Sequence, residues 1–241
     1  MNNITFIKGN IFNTKFQTVV NTVNCVGVMG AGIALECRLR YPVMFEKYCE
    51  LCKEGKLRPG TLWLYKGGEA PTDIDNRWVL NFPTKDNWKF PSRFEYLEAG
   101  LDKFVLTYHE KGITSVAFPV LGGLNGGLDP NHVIDLMTQR LSSCDIPITI
   151  YQYSSTASDD LYDRFKASLL ESDPAQLAKQ THVRRGVLER ILQAVESDGV
   201  CQMNQLARIQ GVGAKTMESL FRYLAGNARS KRLTQGEFDL L

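Results

Sequence analysis

The 241 residues carry 28 Lys and Arg against 26 Asp and Glu, with 44% apolar and 22% charged side chains. That length accommodates one full α/β domain plus a smaller appendage, and the composition is ordinary for a soluble globular protein. A formal net charge of +2 excludes binding of nucleic acid or membrane by bulk charge, so any electrostatic footprint is local. The N-terminus lacks a cationic region followed by an apolar core, and no apolar run approaches a membrane span. A cytoplasmic protein without membrane contact is the expectation. The six cysteines, at 25, 37, 49, 52, 144 and 201, are too sparse for a disulfide scaffold. Cys49-x-x-Cys52 has no second Cys or His pair at zinc spacing, so reduced structural thiols and no metal centre are expected.

In chain order, Ile4 to Ile7 reads as an opening strand and Gly9 to Asn13 as the turn after it. Val19 to Asn24 is a second strand, ending in a glycine bend, Gly27 to Gly32, before a helix from about Gly32 to Arg40. Pro42 opens another helix, in which Val43, Met44, Phe45, Tyr48, Leu51 and Cys52 recur at helical spacing. Thr61 to Tyr65 and Trp78 to Phe82 are strands separated by a polar loop. Ser92 is placed to cap a long helix marked by Phe94, Leu97, Leu101, Phe104, Val105 and Tyr108 and ending near Gly112. Ser115 to Val120 is a strand, Leu121 to Asp129 a glycine-rich loop, Pro130 to Leu141 a helix, and Pro147 to Tyr153 a closing strand. Strands alternating with helices predict a three-layer α/β/α domain around a mixed, largely parallel sheet. The Ser/Thr/Asp-rich stretch from Ser154 to Asp160 reads as a boundary. The expected units are therefore residues 1–155, a helix-containing linker at 156–179, and a small all-α domain at 180–241.

Ligands of parallel sheets bind outside the carboxyl ends of the strands. Three unusual loops lie there: Asn24 to Ala34, Pro83 to Ser92, and Pro119 to Asp129. Strand, glycine bend and helix start suit a phosphate, because exposed N–H groups and the helix N-terminus favour an anion. The spacing fits neither GxGxxG nor the GxxxxGK[ST] loop, and a tight turn serving only the fold explains Gly30-Ala31-Gly32 equally well. The pattern occurs twice, however, with four glycines between Gly122 and Gly127. Two cradles at one sheet edge suit a diphosphate gripped from both sides. Lys85 lies between a strand end and a Pro-Thr turn; a solvated loop charge is its plainest explanation.

Together these residues carry a resemblance. Asn21-Thr-Val-Asn24-Cys25-Val-Gly27-x-Met29-Gly30-x-Gly32-Ile33-Ala34, Asn81-Phe-Pro-Thr-Lys85-x-x-Trp88, and Leu121-Gly122-x-x-Asn125-Gly126-Gly127-Leu128-Asp129 resemble a macrodomain over about residues 1–155. The likeness is to macrodomains of the DarG antitoxin type and the related terminal ADP-ribose glycohydrolase. It implies an ADP-ribose pocket, no cofactor, and removal of ADP-ribose from thymine in single-stranded DNA, reversing a DarT-type toxin. Carried over, Gly30, Ala31, Gly32, Ile33 and Ala34 form the first phosphate loop, and Gly122, Gly123, Leu124, Asn125, Gly126 and Gly127 the second. Asn10, Ile11, Thr84, Pro119 and Leu121 complete the ligand contacts, with Trp88 a candidate DNA contact. Asn24 is expected beside the distal ribose, Lys85 as the catalytic lysine, and Asp129 as an assisting acid.

The chain departs from the pattern at three places. Many macrodomains have Gly-Asp where Gly9-Asn10 stands, the aspartate reading the adenine amino group; an Asn oxygen accepts that bond without charge assistance. Gly122-Gly123-Leu124 replaces Gly-Cys-Gly, and Pro130 replaces a Trp. At the reacting centre, the amine of Lys85 serves as base, as nucleophile on C1″, or, protonated, as stabiliser of the leaving thymine; the residues do not choose among these.

In the C-terminal part, Leu206 to Leu220 fits a helix-hairpin-helix pattern with Gly211-Val212-Gly213 in the hairpin. Gly211, Gly213 and Lys215 are candidate contacts to a DNA backbone. From Gln180 to Arg232 basic residues such as Arg184, Arg190, Arg208 and Arg222 exceed acidic ones, which suits phosphate. A solvated basic face, or a surface for the toxin protein, are the alternatives. For the whole chain the alternatives to a DNA-directed glycohydrolase are a non-catalytic ADP-ribose reader and a hydrolase of carboxylate-linked or phosphorylated ADP-ribose.

Overall fold

The computed structural model describes residues 3–68, 70, 72–123, 125–197 and 199–236. The strands are β1 (Ile4–Gly9), β2 (Thr18–Val23), β3 (Trp63–Tyr65), β4 (Trp78–Pro83), β5 (Val116–Pro119) and β6 (Ile148–Tyr153). They form one six-stranded sheet in the order β1-β6-β5-β2-β4-β3. The pairs β1–β6, β5–β6, β2–β5 and β2–β4 are parallel, and only the short edge strand β3 runs antiparallel to its neighbour. The helices of this part are α1 (Gly32–Arg40), α2 (Pro42–Lys53), α3 (Phe94–Thr107) and α4 (Pro130–Leu141). The mixed sheet expected from the alternation is present, with its strands where the β-branched runs placed them.

Neighbouring side chains on a strand point to opposite faces, and the core divides accordingly. Val20, Phe82, Val116, Phe118, Ile148 and Ile150 pack with Leu97, Leu101 and Phe104 of α3 and Val133 and Met137 of α4. Val19, Val23, Val79, Ala117 and Tyr151 face the other way, onto Cys37 of α1 and Met44 and Tyr48 of α2. The helix layer comes closest to the sheet at Gly100. A Cβ there would lie 2.2 Å from Cζ of the buried Phe82 ring. Gly100→Ala therefore overpacks the core; the expected cost is about 1–3 kcal/mol, read as a lower urea midpoint at unchanged m-value.

Ser92 is not the cap of α3. Arg93 occupies the cap position without a side-chain bond, while Ser92 is buried and its N–H donates 2.9 Å to the Gly126 carbonyl. The tie to the glycine loop takes Ser92 away from the helix start. The helix itself ends at Thr107, and the chain turns through Gly112 at φ 73°.

Beyond β6 follow α5 (Asp160–Glu171), α6 (Pro174–Thr181), α7 (Arg185–Glu196), a 3-10 turn at Met203–Arg208, and α8 (Ala214–Gly236). Phe165, Leu169, Leu177, Leu188, Ile191, Met203, Leu220 and Phe221 share one apolar cluster, and Leu39 of α1 and Ile74 belong to it. The two helices of 156–179 thus pack into the same core as those of 180–236. The stretch around Ser154 is fastened rather than free: Gln202 Nε2 donates 2.8 Å to the carbonyls of Ser154 and Ala157, and Gln205 Nε2 donates 2.7 Å to Ser155. Among the described residues no helix is long and apolar enough to cross a membrane.

Candidate active site

The three glycine- and lysine-bearing loops leave the carboxyl ends of β2, β4 and β5, which lie side by side in the sheet. The β4 loop is the seam between the other two. On one side Thr84 N–H donates 3.0 Å to the Val23 carbonyl, and Cys25 N–H donates 2.9 Å to that of Asp86. On the other side Lys85 Nζ donates 2.7 Å to the Asn125 carbonyl. Asn125 also meets the first bend: a Cβ on Gly32 would lie 2.7 Å from its Nδ2. Gly32 (φ 55°) thus leaves room for the opposing loop, and the two bends converge beside the Lys85 amine.

The first bend leads into α1 with no side-chain cap; Ala31, at the cap position, lends none. The opening N–H groups of that helix, at Gly32, Ile33 and Ala34, therefore remain for an anion, the arrangement a phosphate needs. Gly30 precedes them, and Ile33 and Ala34 set their side chains toward the α1–α2 core. In the second bend Leu128 N–H donates 3.1 Å to the Gly122 carbonyl, and Gly123 N–H donates 3.4 Å to that of Val120. A Cβ on Gly126 would lie 2.2 Å from that same Gly122 oxygen, so no side chain fits there. Gly126→Ala is expected to force the loop open at a cost of about 1–3 kcal/mol, read as a lower urea midpoint at unchanged m-value. Gly127 closes the bend at φ 77°. Pro119 ends β5, and Leu121 fills the core with its side chain, leaving its main chain to the loop. Leu124 lies outside the described residues.

Asn24 serves the bend that it opens. Its Oδ1 accepts from Val26 N–H at 3.0 Å, Val28 N–H at 3.3 Å and Tyr48 Oη at 3.1 Å, and its Nδ2 donates 2.5 Å to the Val28 carbonyl. Tyr48 Oη also lies 2.8 Å from the Asn24 carbonyl. Burial first, and Cys52 next, push the Tyr48 hydroxyl above its ordinary pKa, so it stays a proton donor. The structure thus gives Asn24 a positioning duty, with Tyr48 as a partner that its place in a helical apolar stripe did not announce. Asp129 is likewise engaged: it caps α4, accepting from His132 N–H at 3.0 Å, with its side chain half exposed. Beside Lys85, burial pushes the Cys25 thiol up to about 12, with Asp86 and Cys52 adding to it. A thiol held in its protonated form is a poor nucleophile.

Asn10 follows β1 at the far end of the same sheet edge. Its Oδ1 is taken by Phe12 N–H at 3.0 Å, and its buried Nδ2 finds no partner among the described residues. The oxygen expected for an adenine amino group is thus already accepting a main-chain bond, and Ile11 next to it is core. Thr84 is buried, and Trp88 is 53% exposed. Gly211 turns the C-terminal hairpin at φ 86°, close under Arg190, whose Nε donates 2.8 Å to the Gln210 carbonyl. Gly213 and Lys215 are exposed there, and the preceding helix is a 3-10 turn rather than an α-helix. The side chains of Arg229, Lys231 and Arg232 lie outside the described residues. Among the described residues no group of three or more His, Cys, Asp or Glu is placed to hold a metal ion.

A family model described as Macro domain matches residues 20–137. A DNA ADP-ribosyl glycohydrolase of Mycobacterium tuberculosis is 40% identical over 153 residues, which is 61% of this chain and 42% of that protein. Among solved structures, the macrodomain of Mycobacterium tuberculosis DarG superposes with a TM-score of 0.58 at 39% identity, covering 63% of this chain and 98% of that one. Thermosipho africanus DarTG in complex with ADP-ribose gives 0.59 at 34% identity, covering 64% and 42%. The chain thus spans about two fifths of the length of the curated relatives it matches.

Proposed function

Because the chain belongs to the macrodomain family, we propose that it is a DNA ADP-ribosyl glycohydrolase, releasing ADP-ribose from thymine in single-stranded DNA. The observation that carries this reading is the Lys85 amine, held 2.7 Å from the Asn125 carbonyl where the two glycine bends meet. A diphosphate seated on the α1 N-terminus and the second bend delivers its distal ribose to that amine. A reader of ADP-ribose needs both bends but no amine at their junction. Relatives that bear the glycohydrolase name, and one solved with ADP-ribose, support the assignment.

In the reaction the bond from C1″ to the thymine nitrogen breaks, the oxygen of water joins C1″, and the base nitrogen ends protonated. Lys85 supports this either by attacking C1″ and being released by water, or, protonated, by stabilising charge on the departing base, which then takes its proton from water. Asn24 and Tyr48 hold the first bend, and Asp129 holds the start of α4. No cofactor enters the scheme, and ADP-ribose is the product. The partner that makes the substrate is, in this reading, a DarT-type toxin, as the DarTG name of the Thermosipho relative suggests. The C-terminal hairpin at Gly211, Gly213 and Lys215 then adds contacts to the strand backbone. The test is incubation of the full chain with thymine-linked and glutamate-linked ADP-ribose. Release from the thymine-linked oligonucleotide alone is expected. Release only from the glutamate adduct, or binding without release from either, overturns the reading.

A further inference from the structure

Resting on that reading, we propose that Trp88 and Phe90 form a stacking platform for the bases of single-stranded DNA that flank the modified nucleotide. Phe90 is 65% exposed and Trp88 53%, on the loop that carries Lys85. Aromatic rings left in water cost free energy unless something covers them, and two such rings lie two positions apart on this one loop.

The loop that presents them is fastened on both sides. Phe90 N–H donates 3.2 Å to the Asn87 carbonyl and Lys89 N–H donates 3.1 Å to Asn87 Oδ1, closing a turn around Trp88. Cys25 and Ser92, through their bonds to Asp86 and Gly126, pin its two ends to the glycine bends. Rings held on a pinned turn lose little freedom on binding. Trp88 is three positions after Lys85, so their α-carbons lie at most about 11 Å apart, a separation on the scale of a nucleotide or two.

The charge of the patch selects its occupant. Residues 84–95 carry Lys85, Lys89 and Arg93 against Asp86 and Glu95, the last 3.5 Å from Arg93 Nε, and the Lys89 ammonium sits 5.7 Å from the Trp88 ring centroid. Aromatic faces interleaved with cations match a strand that alternates bases with phosphates. The first bend, tied to this loop by the Cys25–Asp86 bond, also exposes Val26 and Val28. The diphosphate cradle thus holds the leaving sugar, and the platform holds the DNA from which it leaves.

The test uses the full chain with Trp88→Ala, Phe90→Ala and the aromatic replacements Trp88→Tyr and Phe90→Tyr. Turnover is measured on a thymine-ADP-ribosylated oligonucleotide and on ADP-ribosyl thymidine, and binding on an unmodified oligonucleotide of the same sequence. Each alanine variant is expected to lower kcat/KM on the oligonucleotide by ~5- to 100-fold, the effect of losing one base stack, mostly through KM. The tyrosine variants should recover most of it, and turnover of the modified nucleoside should stay within about twofold of the wild type. Equal losses on nucleoside and oligonucleotide, or no loss on either, overturn the platform while the glycohydrolase reading stands. Intact oligonucleotide turnover combined with lost binding of the co-expressed toxin protein overturns it in favour of a protein-docking patch. Aromatic-dependent binding of the unmodified oligonucleotide by a protein that turns over neither substrate supports the platform and overturns the glycohydrolase reading instead.

Discussion

Lys85→Ala is expected to lower release of ADP-ribose from the modified oligonucleotide by about 10²- to 10⁴-fold, the range that loss of an acid–base group or nucleophile commonly produces. ADP-ribose affinity should stay within about threefold, because the bends are held by main-chain bonds that do not involve the amine. The fold has little to lose. Lys85 is half-buried, and among the described residues its amine bonds the Asn125 carbonyl, which water can satisfy once the amine is gone. Lys85→Arg separates the chemical roles. A guanidinium is never deprotonated, so it cannot attack C1″, yet it still stabilises charge on a departing base. Partial turnover by the arginine variant therefore indicates leaving-group stabilisation, and none indicates work by the free amine, as nucleophile or as base. Borohydride added during turnover should link sugar to wild-type protein only where the amine attacks C1″. Release by Lys85→Ala within tenfold of the wild type would remove the amine from the mechanism altogether.

What the amino-acid pattern revealed follows from which forces are local. The strands were readable because Thr18 to Val23, Trp78 to Pro83 and Ile148 to Tyr153 are apolar runs bounded by turns, and burial on both faces demands such runs. The glycine bends were readable because positive φ and close main-chain approach, at Gly32, Gly122 and Gly126, leave a compositional trace. Ser92 misled because a serine two residues before a helical stripe looks like a cap, whereas a bond to Gly126, 34 positions along the chain, decides its place. The amides of Asn24 and Asn10 are used on neighbouring main chain, a choice set by three-dimensional proximity that the sequence does not show. Glu36 and Arg40 have the spacing of an exposed helical ion pair, and nothing nearby in sequence says that a second domain covers them.

That covered pair carries the second large expectation: Arg40→Met should destabilise the chain by about 3–5 kcal/mol. Arg40 is 2% exposed, and its guanidinium lies 2.9 and 2.6 Å from Glu36 Oε1, 3.6 Å from Asp159, and 4.2 Å from the centre of the Phe12 ring. Burial pulls the Arg40 pKa down, but Glu36, Asp159 and Asp75 outweigh it and hold the cation above its ordinary value. Without it, two buried carboxylates stand uncompensated. Asp159 retains the N–H groups of Leu161 and Met203, whereas Glu36 loses its charge partner. The double variant Glu36→Met with Arg40→Met should therefore be the more stable of the two, by about 1–2 kcal/mol in urea midpoints converted at common m-value. The pair sits at the carboxyl half of α1, whose first turn is the proposed phosphate cradle, and Leu39 beside it belongs to the core of the appended helices. Arg38 adds an ion pair from α1 to Glu218 of α8. The C-terminal helices thus brace the helix proposed to receive the ligand. Loosening that brace with Arg40→Met should also weaken ADP-ribose binding several-fold in calorimetry, with the double variant recovering part of it. A single variant that loses less than about 1 kcal/mol would mean that the charges are solvated and that α1 stands without its brace.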